Sequence, residues 1–310
     1  MSNARSPQEL RIVYMGTPEF AVPSLDILVE SGFNVVGVIT APDKPKGRGQ
    51  KLAMSAVKEA ALRHGLHVMQ PTKLKDPDFQ AELRGLNANL QVVVAFRMLP
   101  EAVWDMPEIG TFNLHGSLLP QYRGAAPINW AIMNGEKETG VTTFFLKHEI
   151  DTGHIIFQDK EPIHEEDTVG DVYGRLMNRG AQLVLKTVEA IANGEYPQLP
   201  QDDSVELKPA PKIYKETCEI NWNQPTEKVY DFIRGLSPYP AAWTTLNGSQ
   251  LKIFRTEKME DRKLAVGEYV TDNKKELLFG TADGALAVLE LQLQGKRRMG
   301  IEDFLRGNKL

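Results

Sequence analysis

The chain has 310 residues, more than one ordinary domain needs and enough for two. Its 42% apolar and 25% charged residues are those of a folded globular protein and exclude a collagen-like, low-complexity or disordered chain. A net charge of −5 argues against a protein that coats nucleic acid in bulk, and the lone cysteine, Cys218, excludes an internal disulfide and a cysteine-rich zinc site.

Taken in chain order, Leu10 to Met15 reads as a short buried strand ending at Gly16. Pro18 to Ser31 follows with helical spacing at Phe20, Leu25, Leu28 and Val29. Asn34 to Thr40 is a second strand, Ala53 to His64 a second helix, and Leu90 to Phe96 the clearest buried strand. Gly110 to His115 and Gly140 to Leu146 are further strands, and Val169 to Ala192 is a long amphipathic helix. Strands alternating with helices predict an α/β fold with a mostly parallel sheet covered on both faces.

The pattern changes near residue 195. Tyr196 to Lys212 holds four prolines and little periodicity, and reads as a linker. Beyond it come one helix, Thr226 to Gly235, and short strands at Trp243 to Leu246, Leu251 to Arg255, Leu277 to Gly280 and Leu286 to Leu293. Asn247-Gly248-Ser249 fits a glycosylation pattern but reads as a hairpin turn. The expected organisation is a first domain over 1–194, a linker over 195–212, and a small antiparallel β-barrel over 213–310. Charge follows this division. Residues 1–206 carry 19 basic and 27 acidic side chains, a net −8, whereas residues 207–310 carry 17 and 14, a net +3. A mildly basic C-terminal part suits a polyanionic partner. No apolar run reaches the roughly 18 residues of a membrane span, and the N-terminus lacks the apolar stretch of a secretory signal. A cytoplasmic protein with no membrane contact is expected.

Three constellations could carry chemistry. Asn113 and His115 alternate on one strand, so they share a face at the C-terminal end of a parallel-type strand, where open α/β sheets bind ligands. Asn offers an amide donor for a developing oxyanion and His a proton donor or acceptor near neutral pH. Both could equally satisfy loop backbone groups. Asp151, in the Asp151-Thr152-Gly153 segment after the strand Gly140 to Leu146, could orient His115 if neighbouring strands bring their ends together, or could simply bond its own turn. The run Pro42 to Lys51, PDKPKGRGQK, is a cationic loop suited to phosphates or a nucleic-acid end, or else a solvated surface loop. No metal spacing is present, and Met15 to Phe20 is not a dinucleotide fingerprint. The trio best suits acyl transfer to an external nucleophile.

The run Asn113 to Trp130, NLHGSLLPQYRGAAPINW, with DTG downstream, resembles the 10-formyltetrahydrofolate-dependent formyltransferases. MGTPEF, PDKPKGRGQK and the separate barrel-like part narrow the likeness to the branch that acts on methionyl initiator tRNA. The resemblance runs from about residue 10 to near the C-terminus. It implies a Rossmann-like formyltransferase domain followed by a small OB-like β-barrel, with 10-formyltetrahydrofolate as co-substrate, no metal, and a monomeric enzyme. By motif it implies Asn113, His115 and Asp151 as catalytic residues. Folate contacts fall on Ser117, Leu118, Leu119 and Pro120, with Phe96 and Met98 bordering the pterin. Arg48, Lys46 and Lys51 would meet the tRNA acceptor stem, and Lys296, Arg297 and Arg298 would meet its phosphates. Arg97 stands where many members have Gly, and is expected to point out of the pocket. The rival reading is a formyltransferase for a small amine, such as a purine precursor or an amino sugar nucleotide, for which the basic loop and the C-terminal part would be superfluous.

Overall fold

A computed structural model describes residues 4–46, 51–259 and 261–310. The chain forms two units. Met1–Arg123, Gly140–Glu161 and Gly174–Lys208 make the first; Gly124–Thr139, Pro162–Tyr173 and Pro209–Leu310 make the second.

The strands of the first unit are β1 (Arg11–Gly16), β2 (Asn34–Ile39), a β3 (Lys44–Lys46) and β4 (Lys51–Ala53) hairpin, β5 (Val68–Met69), β6 (Leu90–Val94), β7 (Gly110–His115), β8 (Glu138–Phe145) and β9 (Ile155–Pro162). Seven of them form one sheet in the order β5-β2-β1-β6-β7-β8-β9. From β5 to β7 every pairing is parallel. Residues Ile12 to Gly16 of β1 and all of β6 are buried, as strands covered on both faces must be. The covering helices are α1 (Val22–Glu30), α2 (Ala56–Arg63), α3 (Pro77–Gly85), α4 (Glu101–Trp104) and the later part of α6 (Val169–Asn193). α6 lies close on β7, since a Cβ at Gly180 would come within 2.7 Å of Leu114.

Two departures from the sequence reading have local causes. The second helix starts at Ala56 rather than Ala53, because Ser55 Oγ accepts from Lys58 N at 3.0 Å and caps it, while Lys51 to Ala53 pair with Lys44 to Lys46 as a strand. α3 and α5 (Pro127–Met133) lie where the sequence shows no clear helical rhythm; each opens on a proline, which is compatible with a first helical turn and costs no hydrogen bond there. The third departure matters for function: β8 runs antiparallel to β7, pairing Phe112 with Phe145 and His115 with Thr142.

In the second unit, β10 (Ala242–Leu246), β11 (Ser249–Met259), β14 (Ala285–Leu293), β13 (Leu277–Gly280) and β12 (Tyr269–Thr271) pair in that order, all antiparallel, with β15 (Met299–Gly300) on β14. The sheet curls about α7 (Thr226–Leu236) as a half-barrel over a core that includes Val229, Ile233, Leu251, Phe279, Leu286 and, from α8 (Ile301–Gly307), Phe304. Tyr269 Oη donates to Asn247 Oδ1 at 3.1 Å, linking the two edges at one end. Asn247 and Gly248 both have positive φ, 47° and 79°, the two-residue turn expected of an Asn-Gly hairpin. Among the described residues no helix is long and apolar enough to cross a membrane.

Candidate active site

Period-two alternation along β7 turns Asn113 and His115 to one face at the C-terminal end of the strand. His115 is 6% exposed, and Phe144 meets its ring edge-on at 6.4 Å between centroids. Its Nε2 lies 2.8 Å from the carbonyl oxygen of Tyr122. A carbonyl can only accept, so this contact fixes a proton on Nε2 and leaves Nδ1 as the position that can gain or lose one. Nδ1 is 3.9 Å from Asp151 Oδ2, longer than a direct hydrogen bond but within ion-pair range. Asn113 is half-buried beside Val93 of β6 and Phe144 of β8.

The route by which Asp151 arrives differs from the simple juxtaposition of strand ends. Because β8 is antiparallel, its last residue sits beside Phe112, in the first half of β7 and away from His115. The following loop therefore has to fold back. Leu146 N donates to Thr111 O at 2.8 Å, and Phe145 N to His154 O at 3.0 Å, which closes a loop across 146–153. Asp151 turns the chain with a left-handed φ of 57°. Gly153 presses on the strand end so closely that a Cβ would stand 1.5 Å from Phe145 O. The aspartate is thus both a turn residue and a neighbour of the imidazole; the two readings of the sequence are not exclusive.

The segment Ser117 to Pro120 leaves β7 and divides by direction. Ser117 is fully buried and its hydroxyl donates to Gln121 O at 2.6 Å. Leu119 packs with Phe144 and Ile155, and its N donates to Thr142 Oγ1 at 3.2 Å. Leu118 and Pro120 are half-buried. Past the end of β6, Phe96 packs partly into the core of Val13, Met15 and Val93, whereas Met98 is 73% exposed. Arg97 is exposed and donates to the carbonyls of Pro71 and Thr72.

Of the basic loop, Lys46 and Lys51 are paired through their backbones in the β3–β4 hairpin, and Arg48 lies outside the described residues. The base of the hairpin is fastened at Asp43, which accepts from Lys58 Nζ at 2.6 Å and Gln70 Nε2 at 2.8 Å. The Lys58 hydrogen bond, with that from Gln70, holds the Asp43 carboxyl below the ordinary carboxylate range. In the second unit Lys296 and Arg297 are exposed, while Arg298 is engaged by Glu290 and lies 4.1 Å over the Phe254 ring. Among the described residues no group of three or more His, Cys, Asp or Glu side chains converges as a metal site would.

Three participants escape sequence reasoning. The Tyr122 carbonyl reaches His115 because Tyr122 has a left-handed φ of 59°, which nothing in the residue type announces. Arg123 and Gln201 meet each other behind the Asp151 turn, 78 residues apart in the chain. Among the described residues, the assembled face offers an amide and an imidazole with its open position towards a carboxylate, and no cysteine or serine nucleophile. That set can stabilise a developing oxyanion and move one proton.

Comparison with known proteins shows the family of the chain. The family described as formyl transferase matches residues 10–188, and its C-terminal domain matches residues 212–309. Methionyl-tRNA formyltransferase of Bacteroides fragilis strain ATCC 25285 is 58% identical over 309 residues, covering 97% of this chain and 95% of that protein. Among solved structures, HypX from Aquifex aeolicus, in complex with tetrahydrofolic acid, shares the fold at a TM-score of 0.66 and 20% identity. The match covers 96% of this chain but 48% of HypX, so the chain spans about half of that protein. The N-formyltransferase of Helicobacter canadensis, complexed with folinic acid and dTDP-3-aminofucose, matches at a TM-score of 0.66 and 21% identity, over 90% of this chain and 98% of that one.

Proposed function

We propose, because this chain belongs to the formyl transferase family over both of its matched regions, that it moves a formyl group from 10-formyltetrahydrofolate to the α-amino group of methionyl initiator tRNA. The observation that carries the acceptor is the 58% identity with a methionyl-tRNA formyltransferase over 97% of the chain, the C-terminal unit included.

The folate supplies the formyl group: a bond forms from the α-nitrogen to the formyl carbon, the bond from that carbon to N10 breaks, and a proton passes from the amine to N10. A free α-amino group titrates at roughly 8, and esterification lowers it, so the amine needs little help to become neutral. The residues supply the rest. Asn113 donates its amide to the formyl oxygen as that oxygen gains charge. His115 holds the travelling proton at Nδ1, the position left open by the Tyr122 carbonyl, and delivers it towards N10. Asp151 faces that position, orients the ring and balances the positive charge the ring carries while it holds the proton. Ser117, Leu118, Leu119 and Pro120, with Phe96 and Met98, form the folate wall; the inward Ser117 and Leu119 act through the backbone they hold, and Leu118, Pro120 and Met98 are the side chains open to a ligand.

The sequence run that holds Lys46, Arg48 and Lys51 meets the acceptor stem, and the basic C-terminal unit meets tRNA phosphates. A monomeric enzyme at work in the cytoplasm, where charged initiator tRNA is made and used, completes the reading. Single-turnover transfer from 10-formyltetrahydrofolate to charged initiator tRNA tests it, with charged elongator tRNA and an amino sugar nucleotide as alternative acceptors. Transfer to the initiator alone is expected; preference for the amino sugar would overturn the acceptor assignment. His115→Ala and Asn113→Ala should each lower kcat by at least about 10²-fold with folate binding retained, and near-normal turnover in either would remove that residue from the chemistry.

A further inference from the structure

The proline-rich stretch after α6 does more than join two parts of the chain. Leu199 exchanges both backbone hydrogen bonds with Ile155, at 2.8 and 2.9 Å, and so is pinned beside the strand that follows the Asp151 turn. Two residues on, the half-buried side chain of Gln201 reaches that turn. Its Nε2 donates to Asp151 O at 2.7 Å and to Gly153 O at 2.9 Å. Its Oε1 accepts from Arg123, from Nε at 3.0 Å and Nη2 at 2.7 Å. The amide orientation is fixed by these partners: reversed, it would set oxygen against two carbonyls and an NH2 against a guanidinium. Arg123 is further steadied by Asp203 Oδ1 at 2.7 Å, and Gln121 exchanges hydrogen bonds with Glu206 O and Lys208 N.

These contacts close a ring. Its members are His115 Nε2 on the Tyr122 carbonyl, Tyr122 bonded to Arg123, Arg123 on Gln201, Gln201 on the Asp151 carbonyl, and the Asp151 carboxylate back towards His115 Nδ1. Every link lies in the first unit. We propose that Gln201 and Arg123 are positioning residues of the reaction: together they fix the Asp151 turn against the same loop that fixes His115, and so set the distance and angle between carboxylate and imidazole. The assignment rests on the catalytic reading of His115 and Asp151. Its physical basis is that a left-handed aspartate on a loop of eight residues has no regular element to hold it, while misplacement of a catalytic group by about 1 Å costs up to about 10²-fold in rate.

The test measures kcat, and KM for both substrates, in Gln201→Met, Gln201→Glu, Asp151→Asn and Gln201→Met/Asp151→Asn, with a urea midpoint for each. Gln201→Met removes donors and acceptor together. Gln201→Glu keeps the pairing with Arg123 but cannot donate to the two carbonyls, and serves if the first variant folds poorly. Both single Gln201 variants should lose about 10-fold or more in kcat with either KM within about twofold. The double variant should be no slower than Asp151→Asn, because two residues acting through one group do not add. Wild-type kcat in Gln201→Glu, a loss confined to KM, or losses that multiply in the double variant would each overturn the proposal. Wild-type kcat in Asp151→Asn would instead remove the catalytic reading beneath it, so the two failures are told apart.

Discussion

Gly153 leaves no room for a side chain. The Asp151 turn packs onto the end of β8 so tightly that the smallest addition, a Cβ, would stand 1.5 Å from Phe145 O. Gly153→Ala must therefore push the turn away from the strand, and the Asp151 carboxylate with it. Unfolding by urea should show a loss of at least about 2 kcal/mol, and kcat should fall with it; a variant of unchanged stability and rate would mean that the turn has slack the distances do not show. The sequence could flag this place only as a turn with a candidate acid. Asn113 and His115 were more legible, because a period of two puts them on one face whatever surrounds them. Gln201 was not legible at all: its partners are backbone carbonyls and a guanidinium far along the chain, and nothing in the proline-rich stretch sets it apart from Gln198.

Elements whose hydrophobic rhythm is regular were readable within a residue or two, as in β2, β6, β7, α6 and α7. Direction was not, since nothing in Gly140 to Leu146 tells a parallel from an antiparallel neighbour; here β8 owes its direction to pairing with β7, and the returning loop that delivers Asp151 follows from it. Short elements depend instead on single side chains. In the turn between β12 and β13, Asp272 Oδ1 accepts from the backbone N–H groups of Lys274, Lys275 and Glu276 at 2.8, 2.8 and 2.9 Å. The three donors, Glu276 first, hold the carboxyl down to about 2 from an ordinary 3.8. A carboxyl depressed in the folded state stabilises it above its unfolded pKa and ceases to do so as pH falls through the folded one. Asp272→Ala should accordingly lower the urea midpoint at pH 7, and the gap to the wild-type chain should narrow progressively once the pH drops below about 4. A gap that is constant from pH 7 to pH 3 would show that the turn is held by something other than the ionised carboxylate.

At the scale of the molecule, the sequence changes rhythm near residue 195, whereas the second unit also takes in residues 124–139 and 162–173. Those segments join it through contacts with no local signature, such as Asn129 Nδ2 on Gly235 O and Arg234 Nη1 on the carbonyls of His164 and Asp167. The second global signal is charge. A protein with a net charge of −5 must bind a polyanion by local concentration of cations, and residues 207–310 hold a net +3 against −8 for the rest. Such binding releases counterions, so KM for the tRNA should rise steeply with KCl while kcat stays nearly level. The structure also ranks the cations. Arg298 is committed to Glu290 and to the Phe254 ring, whereas Lys296 and Arg297 stand exposed beside it. Replacing Lys296 or Arg297 with Ala should lower the slope of log KM against log[KCl] by about one for each phosphate the side chain neutralises, with kcat untouched. Arg298→Ala should cost stability first, because it strips the cover from Phe254 and leaves Glu290 unpaired. A KM that ignores KCl would dismiss the electrostatic account of tRNA capture, and a slope that responds to Arg298 alone would reverse the ranking.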